Sequence, residues 1–241
     1  MASELIKRIR AQGDRCLMID LGDRIDQTVG LRCLALAQQL RQAQVPGIVD
    51  IVPSFTAVAI YFEPDSAIGD DPIGYLSELV HELLERLDPE VALVSRRIEI
   101  PVCYGGEHGP DLIDVANRLG QTPAQVIQAH HSQLCRVYMI GFAPGHPYIG
   151  IHDEQFNLPR REVPRTALPA GSLGVANRQS TIYPNVLPGG WHIIGATPLR
   201  LFDATAQEPT LLKPGDEIKF VPISAQQYEQ IKATQSGVSA A

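Results

Sequence analysis

The side chains best suited to ligand binding or chemistry gather in one stretch of the sequence, from Gly141 to Phe202. Arginine forks bind carboxylates and phosphates, histidine exchanges protons near neutral pH, and amide and phenol groups form hydrogen bonds. The residues of these types that we predict to bind a substrate are His146, Tyr148, Arg160, Arg165, Gln179, Tyr183 and His192. No catalytic residue is assigned, because the sequence contains no nucleophile with a recognisable base.

Three arginines, Arg160, Arg161 and Arg165, cluster in a chain whose formal net charge is −7. Such a cluster either binds a carboxylate or phosphate, or forms ion pairs with Glu154 and Glu162 in a solvated loop. If Arg165 binds the substrate, its replacement by alanine should abolish activity and leave the melting temperature nearly unchanged.

The other polar residues each have a structural alternative. His146, on a loop pinned by glycine and proline, either acts on a ligand or hydrogen-bonds the backbone. Gln179 and Tyr183 share one strand face and either line a pocket or are ordinary strand residues. Trp191 is interpreted as a core anchor, and His130 and His131 as helix-end residues whose positive charge suits the helix dipole.

Short strands must position these residues, since eight glycines and eight prolines punctuate the stretch. This pattern is typical of tight turns in a barrel or sandwich. The strands predicted here cover residues 173–176, 180–183, 191–195 and 198–202.

The first hundred residues predict a different arrangement, with the order β-α-β-β-α-β. Predicted strands cover 15–21, 48–52, 57–62 and 97–102, and helices cover 25–44 and a segment beginning at Pro72 after the N-cap Asp71. That order is typical of a ferredoxin-like sheet with both helices on one face. We therefore predict an α+β fold with a ferredoxin-like domain over 1–96, a β-barrel domain over 97–226 and a polar tail over 227–241 that is frayed from Thr234.

Composition excludes several classes of protein. The net charge of −7 argues against nucleic-acid and anionic-membrane surfaces, and no apolar run approaches the length of a membrane span. The N-terminus lacks the apolar core of a signal peptide, so we expect a cytoplasmic protein. The four cysteines are widely spaced, which predicts reduced core residues, and no histidine spacing indicates a metal site.

Long ordered motifs carry a family resemblance across nearly the whole chain. They read IEIPVCYGGEHGPDL (98–112), GFAPGHPYIG (141–150), LPRREVPRTALPAGSLGVA (158–176), PGGWHIIGATPLRLFD (188–203) and LLKPGDEIKFVPI (211–223). With these motifs the sequence resembles the family of the 5-oxoprolinase B subunit, also known as allophanate hydrolase subunit 1 or the Kip-type kinase inhibitor.

The resemblance implies a cyclophilin-like β-barrel after the ferredoxin-like domain. It also implies a non-autonomous subunit, inactive alone, of an ATP-dependent amidohydrolase that opens 5-oxoproline to glutamate. The implied partners are a cyclophilin-like C subunit, of the allophanate hydrolase subunit 2 type, and a third, lactam-binding subunit. Two alternatives stay open: an inhibitor that binds a sensor histidine kinase, and a component of a biotin-dependent carboxyltransferase.

Two departures from the family pattern are expected to lie in the pocket. His146 stands where the family usually has an aromatic ring, and Ile151 follows Gly150 in place of a glycine. The usual GGQTG stretch is replaced by residues 177–181, which read NRQST. Both changes are expected to bear on which substrate is bound.

Overall fold

A computed structural model of the protein describes residues 6–63, 69–87 and 93–238. Contacts divide the chain into two compact units, Met1–Val94 and Ser95–Ala241. Together they form an α+β protein in which the described residues include five α-helices and a closed seven-stranded barrel. None of the described helices is long and apolar enough to cross a membrane.

The first unit is a four-stranded antiparallel sheet with two helices. Its strands are β1 (Arg8–Ala11), β2 (Cys16–Asp20), β3 (Ile48–Pro53) and β4 (Ala57–Phe62), and its helices are α1 (Gln27–Gln42) and α2 (Pro72–Arg86). The sheet order is β1-β2-β4-β3, and alternate residues of β2 and β4 share one core with the apolar faces of both helices. Each helix is capped by an aspartate that directly precedes it. The side chain of Asp26 accepts a hydrogen bond from the Thr28 amide, and that of Asp71, the residue before Pro72, accepts one from the Gly74 amide.

The predicted order βαββαβ is therefore wrong in one respect, because the fourth strand of this sheet is β1 and not residues 97–102. The observed order of the unit is ββαββα. Residues 97–102 instead belong to β5 (Arg97–Tyr104), which pairs in parallel with one barrel strand and antiparallel with another. The alternation of apolar residues in a strand does not say which sheet it joins.

The second unit is built around the closed barrel, with the strand order β10-β7-β6-β13-β5-β12-β9. Besides β5, these strands are β6 (Leu134–Ile140), β7 (Pro147–Gly150), β9 (Ser172–Ala176), β10 (Gln179–Ile182), β12 (His192–Ala196) and β13 (Glu217–Pro222). A separate two-stranded ribbon pairs β8 (Arg165–Leu168) with β11 (Leu187–Gly189). The remaining helices are α3 (Leu112–Leu119), α4 (Pro123–Ser132) and α5 (Ala225–Val238).

Two local sequence patterns predict structure in this unit: residues 122–125, which read TPAQ, predict a helix capping box, and residues 213–216, which read KPGD, predict a type II turn. Thr122 and Gln125 form the capping box of α4, and the turn before β13 has Gly215 at φ 98° with Asp216 N donating to Lys213 O. One prediction is wrong, because residues 198–202 are not a strand. The helix α5 extends to Val238.

Candidate functional site

A small cavity opens between the barrel and the ribbon, and aromatic residues dominate its wall. We call it the aromatic cavity; its volume is about 230 Å³. It is lined by Phe142, His146, Tyr148, Arg160, Pro164, Tyr183, Pro188, Gly189, Gly190 and Trp191. The ring centroid of His146 lies 5.2 Å from those of both Tyr148 and Tyr183, in edge-to-face contact.

Four of the seven predicted substrate-binding residues line this cavity, and they come from three segments. His146 ends the loop before β7, Tyr148 lies on β7, Tyr183 follows β10, and Arg160 comes from the loop before the ribbon. The other three, Arg165, Gln179 and His192, do not line it. Gln179 is buried in β10 opposite Gly150, and His192 Nε2 donates to the carbonyl of Pro159 at 2.9 Å.

Arg165 lies beside the cavity and is engaged by a carboxylate. Its Nη1 and Nη2 donate to the two oxygens of Asp111 at 2.8 and 2.7 Å, and Arg161 Nη1 donates to the same carboxylate at 3.2 Å. Burial alone would raise the pKa of Asp111, but the Arg165 hydrogen bonds, the Ile193 amide and the arginine charges together lower it from 3.8. Two of the three clustered arginines thus form ion pairs, with Asp111 and not with the glutamates considered from sequence.

Arg160 is the arginine whose guanidinium faces the cavity. Its Cζ lies 5.1 Å from the centroid of the Trp191 ring, a cation–π distance, and within the described ranges it has no ion pair. A carboxylate entering the cavity would therefore meet a cation that is already oriented by an aromatic face. The charge of Arg160 also affects its neighbours, since it disfavours protonation of His146.

His146 is a neutral wall residue near neutral pH. Burial, together with the charge of Arg160, lowers the pKa of its imidazole from 6.5 to about 4. Its Nε2 lies 3.0 Å from the hydroxyl of Thr181, which itself donates to the carbonyl of Pro147 at 2.7 Å. Since Thr181 is completely buried, this hydroxyl–imidazole pair is not placed to attack a ligand.

Tyr183 is also held neutral, because burial raises the pKa of its phenol to about 12 although the charge of Arg160 acts in the opposite direction. Its hydroxyl packs so closely on Gly189 that a side chain there would collide with it. His146 and Tyr183 are therefore neutral hydrogen-bonding rings of the cavity wall, and Arg160 is its charged member.

The predicted set of substrate-binding residues lacked two aromatic members of the wall, Phe142 and Trp191. Trp191 is buried, as a core anchor should be, but it also forms one side of the cavity. Phe142 is 65% exposed and has a left-handed backbone (φ 71°), which is costly for an aromatic residue. The available signals were the glycine pair before Trp191 and the position of Phe142 between glycine and alanine in a loop.

The second departure from the family pattern lies outside the cavity. Asn177 and Arg178 form the two-residue turn between β9 and β10, both with positive φ (49° and 62°). The Nε of Arg178 donates to the carbonyl of His152 at 2.8 Å, so the turn is tied to the loop after β7. Of the two departures, only His146 touches the cavity.

A second cluster of polar groups is sealed inside the barrel. Ser180 Oγ lies 2.8 Å from His130 Nε2 and 2.7 Å from His152 Nε2, and the hydroxyl of Tyr104 lies 2.8 Å from His130 Nδ1. Burial lowers the pKa of His130 well below 6.5, so its interpretation as a helix-end cation is wrong. Because both histidines and Ser180 are completely buried, this cluster supports the barrel and has no access to a ligand.

All four cysteines are buried and free, as predicted. No group of three or more histidine, cysteine or acidic side chains within the described ranges could hold a metal ion.

Comparison with known proteins adds the family. Residues 7–212 match the model of the carboxyltransferase domain, subdomain C and D. The chain is 38% identical to the B subunit of 5-oxoprolinase from Bacillus subtilis, over 93% of this chain and 96% of that protein. It is 40% identical to the protein of the same name from Escherichia coli O157:H7, over 87% of this chain and 93% of that protein.

Among solved structures, TTHA0988 is similar with a TM-score of 0.73 and 34% identity. The alignment covers 88% of this chain and 40% of TTHA0988, so the present chain spans less than half of that protein. These matches confirm the family that the sequence motifs indicated.

Proposed function

The chain belongs to the family of the carboxyltransferase domain, subdomain C and D, and from this premise we propose that it is a subunit of a 5-oxoprolinase. In this proposal it is a non-autonomous part of a heteromeric, ATP-dependent amidohydrolase that converts 5-oxoproline to glutamate. The observation that carries the proposal is the near full-length likeness to relatives that bear the name of the 5-oxoprolinase B subunit. A cytoplasmic location is part of this proposal.

The aromatic cavity suits one part of this reaction, the holding of a small ring compound with a carboxylate. Arg160 would take the carboxylate, since a guanidinium fork matches its two oxygens. The rings of Tyr148 and Trp191 would contact the lactam ring, and the neutral His146 would offer a hydrogen bond to the amide. Each of these residues binds or orients; none is assigned the chemical step.

The cavity does not fit ATP. Its volume of about 230 Å³ lies below the ~300–1,000 Å³ typical of pockets for drug-sized ligands, so a nucleotide is too large for it. ATP would activate the lactam by phosphorylation when bound in the complex, and we place its site outside the cavity. Because the ATP site is placed outside this cavity, we propose that the chain alone is inactive.

The proposed partners are the cyclophilin-like C subunit of such an enzyme and a third, lactam-binding subunit. The exposed apolar residues near the cavity, Phe142 and Val163, are suitable contacts for such a partner. The finer domain description belongs to the same proposal: over 1–96, a ferredoxin-like sheet in which β1 takes the place of the expected last strand, and over 97–226 a cyclophilin-like barrel.

Reconstitution tests the function directly. The purified chain, the candidate partner subunits, and the mixture of both are assayed for glutamate formed from 5-oxoproline with ATP. We expect turnover only in the mixture. Turnover by the lone chain, or by the partners without it, contradicts the proposal.

The description of the matching family model favours a second candidate, a carboxyltransferase component of a biotin-dependent enzyme. The same preparations would be assayed for transfer of a carboxyl group from carboxybiotin to urea. Transfer without any opening of 5-oxoproline would replace the first proposal by this one.

A further inference from the structure

Asp111 is a buried carboxylate that joins three segments of the barrel unit. Its side chain is 6% exposed, and it accepts hydrogen bonds from Arg161, from Arg165 and, at 2.7 Å, from the backbone amide of Ile193. It directly precedes α3, where an aspartate usually caps the helix, yet its side chain makes no capping hydrogen bond. All these hydrogen bonds of the carboxylate therefore connect the start of α3 to other segments of the barrel unit.

These contacts fix the loop that carries Arg160. We call residues 159–165 the arginine segment. The Pro159 carbonyl accepts from His192 Nε2 at 2.9 Å, and the Arg161 amide donates to the Gly190 carbonyl at 2.7 Å. Asp111 adds the third link, from the side chains of Arg161 and Arg165 to the backbone of β12.

Arg160 therefore lies between two anchored neighbours, and its guanidinium is carried onto the Trp191 ring. Pre-organisation of this kind matters for binding, because an arginine that is free to change rotamer loses entropy when a ligand orders it. The two ion-paired arginines outnumber their carboxylate, so the segment also keeps a net positive charge next to the cavity.

We propose that Asp111 is a positioning residue that holds the arginine segment against the start of β12 and thereby keeps Arg160 over Trp191, ready for a carboxylate. Its loss would leave the aromatic wall residues in place and free the segment that carries Arg160. The identity of the ligand rests on the proposed function, whereas the placement of Arg160 does not.

The test uses Trp191, which is the only tryptophan of the chain and so gives a single indole N–H signal in a nitrogen–proton correlation spectrum. The change in this chemical shift caused by Arg160→Gln is measured in the full chain, once with Asp111 and once with Asp111→Asn. We expect a clear shift with Asp111 present and at most about one third of it with Asp111→Asn, because the two effects are coupled. Equal shifts in both backgrounds overturn the proposal.

A second variant covers the case in which Asp111→Asn does not fold, which a collapsed spectrum would reveal. Arg165→Lys keeps the positive charge but cannot reach both oxygens of Asp111. It should reduce the Arg160→Gln shift by roughly half, and an undiminished shift counts against the proposal.

The reconstituted complex provides the link to function. Asp111→Asn should raise KM for 5-oxoproline about tenfold, with kcat nearly unchanged, as expected when a ligand contact is lost. If the indole shift caused by Arg160→Gln shrinks in Asp111→Asn as expected but KM is unaffected, the positioning role stands and the ligand assignment of the cavity fails. If the indole shift is the same in both backgrounds, the positioning role is wrong whatever the activity.

Discussion

Replacing Arg165 by alanine should destabilise the barrel unit, which is the opposite of what the sequence predicted for a substrate-binding arginine. The substitution removes both hydrogen bonds of 2.8 and 2.7 Å to the buried carboxylate of Asp111. Asp111 would then depend on Arg161, at 3.2 Å, and on the Ile193 amide. A carboxylate that is 6% exposed cannot recover the lost bonds from water.

The size of the effect follows from this geometry. Breaking a buried ion pair typically costs ~3–5 kcal/mol, but Arg165 is 29% exposed and Asp111 keeps two partners. We therefore expect about 2–3 kcal/mol. At ~2–4 °C per kcal/mol for a chain of this size, the melting temperature should fall by roughly 4–12 °C.

Thermal unfolding is followed by the fluorescence of Trp191, which reports on the barrel unit because it is the only tryptophan. Arg160→Ala is the matched control: it removes the same side chain from the same segment, where the arginine has no ion pair within the described ranges. Its melting temperature should change by less than about 3 °C. If Arg165→Ala and Arg160→Ala have the same melting temperature, the structural role of Arg165 is refuted.

Further predictions concern buried histidines and close packing. Three histidines have lowered pKa values: His130, His146 and His152. The unfolded chain binds these protons near pH 6.5, whereas folded His146 and His152 bind them only at about pH 4 and folded His130 only well below pH 6.5. As the pH is lowered from 6.5 towards 4, the free energy of unfolding should therefore fall by up to ~1.4 kcal/mol per histidine per pH unit; urea titrations that give the same stability at both ends of this range would contradict this. Gly189→Ala should push the hydroxyl of Tyr183 and cost ~1–3 kcal/mol by denaturant titration, whereas Gly190→Ala, whose added carbon meets only ordinary contacts, should cost less than about 1 kcal/mol; equal losses would show that the packing argument is wrong. His146→Phe should change stability by less than about 1.5 kcal/mol and shift the preference of the reconstituted complex towards less polar lactams, since it removes a neutral hydrogen-bonding ring from the wall; an unchanged ratio of kcat/KM between 5-oxoproline and such a lactam would remove His146 from the determinants of specificity.

Sequence alone determined the elements whose signals are local. The apolar stripes of α1 and α2, the cap at Asp71 and the turn at Gly215 each depend on residues within a few positions of one another. For this reason periodicity and turn chemistry predict them well. Long motifs determined the family in the same way, because they are read as continuous strings.

The strand pairing and the membership of the cavity needed the tertiary structure. The strand β5 has the alternation of a half-buried strand in any sheet, and only its register with β12 and β13 places it in the barrel. Phe142 and Trp191 become cavity walls because the chain brings together loops that lie far apart in sequence.

The arginines show most clearly the difference between what the sequence determines and what the tertiary structure determines. By residue type and neighbourhood, Arg160 and Arg165 are equivalent candidates for a ligand, and the sequence has no local signal that separates them. Their roles depend on Asp111, which lies 54 positions before Arg165 and accepts hydrogen bonds from its guanidinium. The guanidinium of Arg160, on the same segment, lies over the ring of Trp191 instead. A carboxylate so distant in sequence leaves no trace in local spacing, since folding alone brings it within hydrogen-bond reach.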